Sequence, residues 1–376
     1  MTVWSYPTNP FLRFCLASVS IAVTIVLYVS TIHLYAGFGR HRGAPWHRTW
    51  SIFTESTPGE DLSVTIPEAW QGMIHPLNET HFDTLDDRHY DIPKDAHRWA
   101  PLGKKVLIID VDTRLDTSRG SMLGTRTPLT PDNIKPRTAG IINHFHYALI
   151  HGYDYRLVRA PEFQDRHQTW VKVPIEQEAL KTYDFVVFLD ADAIFNYVQV
   201  PLEWLFSLWE ITPRTLIAMA EDPHSERNND AKGWVMWNTG FSIAQKSKRT
   251  QELFQRWLDC PTERGKYAGC TQWAYDWAHE QAAFGNYVRY DYDSHKDLRA
   301  ISCQDGNGMP GKNGGAGCNG VFVRHYWIGK EQTVRDLYQL LSDNKVRALH
   351  RYFHEHKDRY FLDLSHHTYP LKDVVF

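Results

Sequence analysis

Hydrophobic and polar positions follow several distinct rhythms along this chain, and the first is a long uncharged stretch near the start. From Phe14 to Gly39 there is no Asp, Glu, Lys or Arg, and Ser18 to Val29 forms its apolar centre. As a helix rising about 1.5 Å per residue, the stretch exceeds the roughly 30 Å hydrocarbon thickness of a bilayer. It is also longer than the apolar region of about 7 to 15 residues in a cleaved secretory signal. The pattern predicts an uncleaved anchor over 14–39 behind a short tail, 1–13. Residues 40–103 then carry Pro, Thr, His and Trp without sustained periodicity, the texture of a partly ordered stem.

At Lys104 the texture changes. Val106-Leu107-Ile108-Ile109-Asp110 is a continuous apolar run behind two lysines, as in a strand buried on both faces. Thr138 to Ile150 places Ile141, Ile142, Phe145, Ala148 and Leu149 at helical spacing, with Gly152 marking the end. Tyr155 to Val158 reads as a second strand, Val171 to Thr182 as a second helix and Tyr183 to Leu189 as a third strand. Leu216 to Asp222 is a further strand, and Asn238-Thr239-Gly240-Phe241 reads as opening a short apolar turn to Ser242-Ile243-Ala244. His279 to Phe284 lies on a helix, and Gly320 to Lys330 reads as a strand, a histidine, aromatics and a glycine turn that delivers a lysine. Strand and helix units in alternation predict an α/β fold with a mostly parallel sheet and flanking helices, here over 104–350, with 351–376 as a C-terminal extension. In such a sheet the ligand site lies beyond the carboxyl ends of the strands.

Composition narrows the class. The 376 residues are 43% hydrophobic and 23% charged, which excludes a disordered or collagenous chain. Lys plus Arg is 41 against Asp plus Glu 44, a formal charge of −3; nothing here predicts a nucleic-acid partner, which wants a basic excess. Flanking charge bears on topology: Arg13 precedes the anchor while Arg40, Arg42 and Arg48 follow it, so the positive-inside rule alone turns the main domain toward the cytosol. Two features point to the lumen instead. Asn78-Glu79-Thr80 is the one glycosylation acceptor triplet. Of five cysteines, four (Cys260, Cys270, Cys303 and Cys318) follow the anchor, an even set that suits disulfides in an oxidising compartment. Three connectivities are open to them; the expected one joins Cys260 to Cys270 and Cys303 to Cys318.

The candidate chemistry begins with Asp190-Ala191-Asp192 directly after an apolar strand. Two carboxylates one residue apart at a strand end can face a divalent cation together, and hard oxygen ligands suit Mg²⁺ or Mn²⁺. A second such triplet, Asp110-Val111-Asp112, is either a polar strand end or part of a nucleotide site. Both segments approximate the first motif of dehalogenase-like phosphatases, but Arg114 and Ile194 stand where that motif needs Thr or Val. Downstream, His325 can complete a metal site begun by two aspartates, and Lys330 can reach phosphate.

Taken in order, these motifs resemble metal-dependent glycosyltransferases of the GT-A fold, most closely the family 34 galactosyl- and mannosyltransferases of fungi and plants. The resemblance rests on Trp170 with Lys172, Leu189 to Ala193, Asn238 to Gly240, Glu280 to Ala282 and Gly320 to Gly329, with Asn143, Tyr147 and Gly152-Tyr153 in support. It spans about residues 104 to 335 and departs from the family at Thr239-Gly240-Phe241 and in the glycine-rich insertion Gly306 to Gly317. It implies a Golgi or ER type II membrane protein with a lumenal domain, which moves a hexose from UDP or GDP to a glycan acceptor, using Mn²⁺ or Mg²⁺ and retaining anomeric configuration. By the same resemblance Asp190, Asp192 and His325 are the metal ligands. Asp190, Asn238, Lys172, Lys330, Asp110 and Asp112 are the donor-side candidates, and Glu280 and Gln281 line the sugar and acceptor. Trp234 and Trp237 are either sugar platforms or core. Two rivals stand beside this reading: a lectin-like partner of an active transferase, and a D-x-D phosphatase.

Overall fold

The structure, a computed structural model, describes residues 62–310 and 318–360. Helix α1 (Leu62–Trp70) leads into a hairpin of β1 (His81–Asp83) and β2 (His89–Asp91). There follow β3 (Val106–Asp112), α2 (Pro136–His151), β4 (Asp154–Arg159), α3 (Lys172–Ala179), β5 (Phe185–Leu189), β6 (Ala193–Phe195), α4 (Leu202–Leu208) and β7 (Ile217–Glu221). The second half comprises β8 (Trp237–Gln245), α5 (Lys248–Asp259), α6 (His279–Asn286), β9 (Leu298–Ile301), α7 (Cys303–Gly306), β10 (Val323–His325), α8 (Gln332–Glu355) and α9 (Lys357–Tyr360).

Six strands form the central sheet in the order β4-β3-β5-β8-β7-β9. β3 pairs in parallel with β4 and β5, β7 in parallel with β9, and β8 runs antiparallel between β5 and β7. Both faces of the sheet are covered, which is why the inner strands β3 and β5 open as apolar runs. Val106 and Ile108 face one buried cluster with Tyr147 of α2 and Phe206 of α4, whereas Leu107 and Ile109 face another with Trp170, Phe254 and Phe284. Local signals place the helices: α2 starts on a proline and stops where Gly152 takes the left-handed conformation (φ 71°), and Ser247 caps α5 by accepting from the Thr250 amide.

Two expectations change here. The segment Asn238–Ala244 is not a turn but most of the antiparallel strand β8; its Asn, Thr and Gly are polar or small because they serve the site below, which hides the strand pattern. Residues from Leu62 onward are not stem. Trp70, Phe82 and Ile92 sit in the same core cluster as Val106, and Trp99 Nε1 donates to the Ile211 carbonyl at 2.8 Å. These residues are held by tertiary contacts without any repeating spacing, so periodicity cannot find them. At the other end α8 runs through residue 350 to Glu355. The expected anchor at 14–39 lies outside the described residues, and among those described no helix is long and apolar enough to cross a membrane.

Candidate active site

At the carboxyl end of β5 the chain makes a tight reversal. The Asp190 amide donates to the Gly240 carbonyl of β8, the Ala193 amide donates to the Asp190 carbonyl (2.8 Å each), and β6 then leaves in a new direction. β6 pairs antiparallel with β10, with His325 opposite Ala193, and the Tyr326 amide donates to the Asp192 carbonyl. This small second sheet carries His325 to the two aspartates. Its Nε2 lies 3.3 Å from Asp192 Oδ1 and 3.9 Å from Asp190 Oδ2, and one ligand atom from each residue falls within 4.8 Å of the others.

The surroundings fix these groups. His325 Nδ1 donates to Asn307 Oδ1 (3.0 Å), while the Asn307 amide donates to Asp222 Oδ1 (3.1 Å) and to the Glu221 carbonyl (2.9 Å). The imidazole is thereby oriented with Nε2 toward the carboxylates, the arrangement by which buried partners aim metal-ligating histidines. Gly240 leaves the room: a Cβ there would stand 2.3 Å from His325 Cε1 and 2.8 Å from Asp190 Oδ2. Burial works to raise the Asp192 pKa, but His325 and Lys330 hold this carboxyl well below the usual carboxylate range. Burial likewise works to lower the His325 pKa, yet its hydrogen bond to Asp192 and the charges of Asp192 and Asp190 raise it. Two carboxylates and one imidazole, pre-aimed around a space that glycine keeps open, fit a divalent cation of the Mn²⁺ type.

Beside this triad runs a second network. Lys172 Nζ is buried, 2.9 Å from Asp190 Oδ1 and 3.4 Å from Glu280 Oε1, and it donates to the Thr239 carbonyl at 3.3 Å. Burial opposes the charge on Lys172, but Asp190 and Glu280 more than compensate and raise its pKa. Glu280 Oε1 also accepts from Thr239 Oγ1 (2.9 Å), whereas its Oε2 is buried with no partner among the described residues. Gln281 accepts from the Thr239 amide at 3.3 Å and donates to Asp222 Oδ2 at 2.6 Å; Asn238 donates to Asp222 Oδ1 at 2.8 Å. Glu176 lies behind Lys172, hydrogen-bonded by Ser242 Oγ (2.8 Å), and burial pushes its pKa up to about 8. Lys330 reaches the other side of the triad and pairs with Asp192.

The triad, Lys172 and the polar groups around Glu280 line one cleft of about 1440 Å³. It receives Asp112, Lys172, Asp190, Asp192, Asn238, Glu280, Gln281, His325 and Lys330 of the expected set. Asp110 is not among them. It is buried, held by His144 Nδ1 (2.9 Å) and Tyr155 OH (2.7 Å), and His144 Nε2 bonds the Ala193 carbonyl (2.9 Å), so Asp110 braces the reversal from beneath. Asp112 faces the cleft but is engaged by Arg114 (2.9 Å) and Arg137 (3.1 Å), which stand on the rim. Trp237 is core, packed on Phe284, and Trp234 is exposed away from the cleft lining; the exposed aromatic on the rim is Trp277. Asn143 and Tyr147 tie β6 and its continuation to α2 through Phe195 and the Val200 carbonyl.

Cys260 and Cys270 are disulfide-bonded. The second expected bridge is absent: Cys303 and Cys318 are buried thiols in contact with each other, and Cys318 Sγ donates to the Asn307 carbonyl at 3.1 Å. Asn78 is exposed in a turn. Asn307, Asp222, Glu176, Arg114 and Arg137 carry no sequence motif. The acids that end the strand Leu216–Asp222 were the one local signal that pointed toward Asp222.

The family described as nucleotide-diphospho-sugar transferase matches residues 161–367, a span that holds Asp190, Asp192, Glu280, His325 and Lys330. Among solved structures, a glycosyltransferase involved in glycosylation of the major capsid of PBCV-1 is similar at TM-score 0.44 and 13% identity, over 62% of this chain and 98% of that one. A 4-diphosphocytidyl-2C-methyl-D-erythritol synthase from Anaerococcus prevotii DSM 20548 is similar at TM-score 0.29 and 10% identity, over 63% and 95%. No curated protein matches. With the family match covering more than half of the chain, the protein belongs to the nucleotide-diphospho-sugar transferases and is a glycosyltransferase.

Proposed function

We propose that the enzyme transfers galactose or mannose from UDP or GDP to a glycan acceptor, with retention of configuration, in the manner of the family 34 enzymes its motifs resemble. The observation that carries this reading is the convergence of Asp190 and Asp192, at the end of β5, with His325 from a distant part of the chain, next to Lys330. Asp190, Asp192 and His325 would hold Mn²⁺ or Mg²⁺, which supplies positive charge for the departing diphosphate. Lys330 sits on the same side and neutralises phosphate oxygens; Arg114 and Arg137, kept in place by Asp112, add positive charge at the rim. Lys172 prevents Asp190 and Glu280 from repelling each other and sets their orientation. Glu280 lines the cleft, and its buried Oε2 without a partner would suit a sugar hydroxyl or positive charge that develops at the anomeric carbon. Gln281 and Asn238, both anchored on Asp222, offer further polar contacts to the sugar.

The disulfide Cys260–Cys270 and the exposed Asn78 support a lumenal domain behind the anchor at 14–39, in the Golgi or ER. The test is a panel of UDP- and GDP-sugars with Mn²⁺, the product being read for its anomeric configuration by NMR. One donor turned over with retention supports the reading. Donor-independent phosphate release from simple esters overturns it.

A further inference from the structure

The β1–β2 hairpin carries a second cluster of ligating groups, remote in sequence from the catalytic set. Its register opposes His81 to Asp91 and Asp83 to His89. Side chains alternate along a strand, so these four share one face while Phe82 and Tyr90 share the other. The inner face is fixed: Phe82 packs edge-on to Tyr197 at 5.2 Å, and Tyr90 OH donates to Asp305 at 2.9 Å. The outer face is therefore a square of two imidazoles and two carboxylates, all exposed, on a fixed backbone.

Its geometry is that of a site and not of scattered ion pairs. His81 Nε2 and His89 Nδ1 both point at one atom, Asp83 Oδ1, at 2.7 and 2.5 Å. The remaining nitrogen of His81, Nδ1, donates to Asp91 Oδ1 at 2.9 Å. A carboxylate behind an imidazole, with the far nitrogen turned toward other ligands, is how metal-bound histidines are held and made more basic. One ligand atom each from His81, Asp83 and His89 lies within 4.8 Å of the others. A cation placed between them needs only rotations of exposed side chains, because the backbone is already paired. Two nitrogens and one oxygen, with a fourth position open to water, select Zn²⁺ over the harder Mn²⁺ and Mg²⁺.

We propose that His81, Asp83 and His89, with Asp91 orienting His81, form a Zn²⁺ site on the outer face of the hairpin, separate from the catalytic cluster. The site staples the two strands of this surface hairpin. It differs in donor chemistry from the oxygen-rich set at Asp190 and Asp192, so the two can be loaded independently.

The experiment uses the full chain carrying Asp192→Ala, which disables the catalytic set, and titrates it with Co²⁺ and then Zn²⁺. Equilibrium dialysis gives the equivalents bound, visible absorption gives the Co²⁺ geometry, and thermal unfolding gives the Zn²⁺-induced shift in Tm. The expected result is one Zn²⁺-displaceable Co²⁺ equivalent and a rise in Tm. Both are lost on adding His89→Ala or the pair His81→Gln/His89→Gln, whose metal-free Tm stays that of the parent. Asp91→Asn is expected to keep the equivalent but weaken its affinity about 10- to 100-fold. Unchanged equivalents in both hairpin variants overturn the proposal. So does loss of the equivalent with His350→Gln/His354→Gln instead, the adjacent pair on α8 whose Nε2 atoms are 3.2 Å apart.

Discussion

Asn307 is the sharpest point at which to strain the proposed cation site, because it touches the ligand and not the cation. It is fully buried, and its side chain makes three hydrogen bonds: from His325 Nδ1 at 3.0 Å, to Asp222 Oδ1 at 3.1 Å and to the Glu221 carbonyl at 2.9 Å. Asn307→Ala removes the acceptor that points Nε2 at Asp190 and Asp192. Loss of such an orienting partner typically costs about 10- to 100-fold in metal affinity, or roughly 1.4 to 2.7 kcal/mol. The orphaned His325 N–H adds about 1 to 3 kcal/mol of lost stability, while Asp222 keeps its bonds from Asn238 and Gln281. The assay is nucleotide diphosphate release against Mn²⁺ concentration. Half-saturation moves up by about one to two decades, and the rate at saturating Mn²⁺ largely recovers. A variant with the wild-type half-saturation, or one whose maximal rate falls while half-saturation stays fixed, refutes the claim that Asn307 aims the ligand.

Three further outcomes follow from the same geometry. Glu176 has its pKa raised by burial from 4.5 to about 8, so it favours folding fully below pH 4.5 and loses that contribution as pH rises to about 8. The loss is about 1.4 kcal/mol per pH unit across the window. Glu176→Gln, which keeps an acceptor for Ser242, therefore gains stability over wild type at pH 8 relative to pH 5 in urea titrations; parallel pH profiles contradict this. Gly240→Ala drives a methyl into His325 and Asp190; transfer activity drops at least tenfold while circular dichroism of the fold persists, and a fully active variant sinks the close-approach argument. Lys172→Met leaves Asp190 and Glu280 facing each other without a cation between them, at a cost of about 3 kcal/mol in chemical denaturation; a change below about 1 kcal/mol means the pair is solvated.

The framework was legible where burial writes a pattern. β3 and β5 open as apolar runs because helices cover both sheet faces, and Asp190 and Asp192 stand out as the acids that end β5. The pairing of His325 with them could be expected only from the order of motifs, since β6 and β10 are three-residue strands that meet from distant parts of the chain. Single polar residues without a local pattern stayed hidden: Asn307 and Glu176 matter for what tertiary structure puts beside them. The same cause produced the errors. Asp110 and Asp192 have alike strand-end contexts, and only the presence of His144 and Tyr155 around Asp110 distinguishes a brace from a candidate ligand. Asn238 and Gly240 look like a turn because a strand that builds a site gives up its hydrophobic alternation.

The central claim is that the three converged side chains make sugar transfer depend on a cation. It is tested most directly by stripping the wild-type protein with EDTA, re-adding Mn²⁺, and comparing nucleotide diphosphate release with that of Asp192→Ala. Release is expected to vanish on chelation, to return with Mn²⁺ in wild type, and not to return in the variant at any Mn²⁺ concentration, with both proteins equally folded. Undiminished release in EDTA, or wild-type rates from Asp192→Ala, would contradict it.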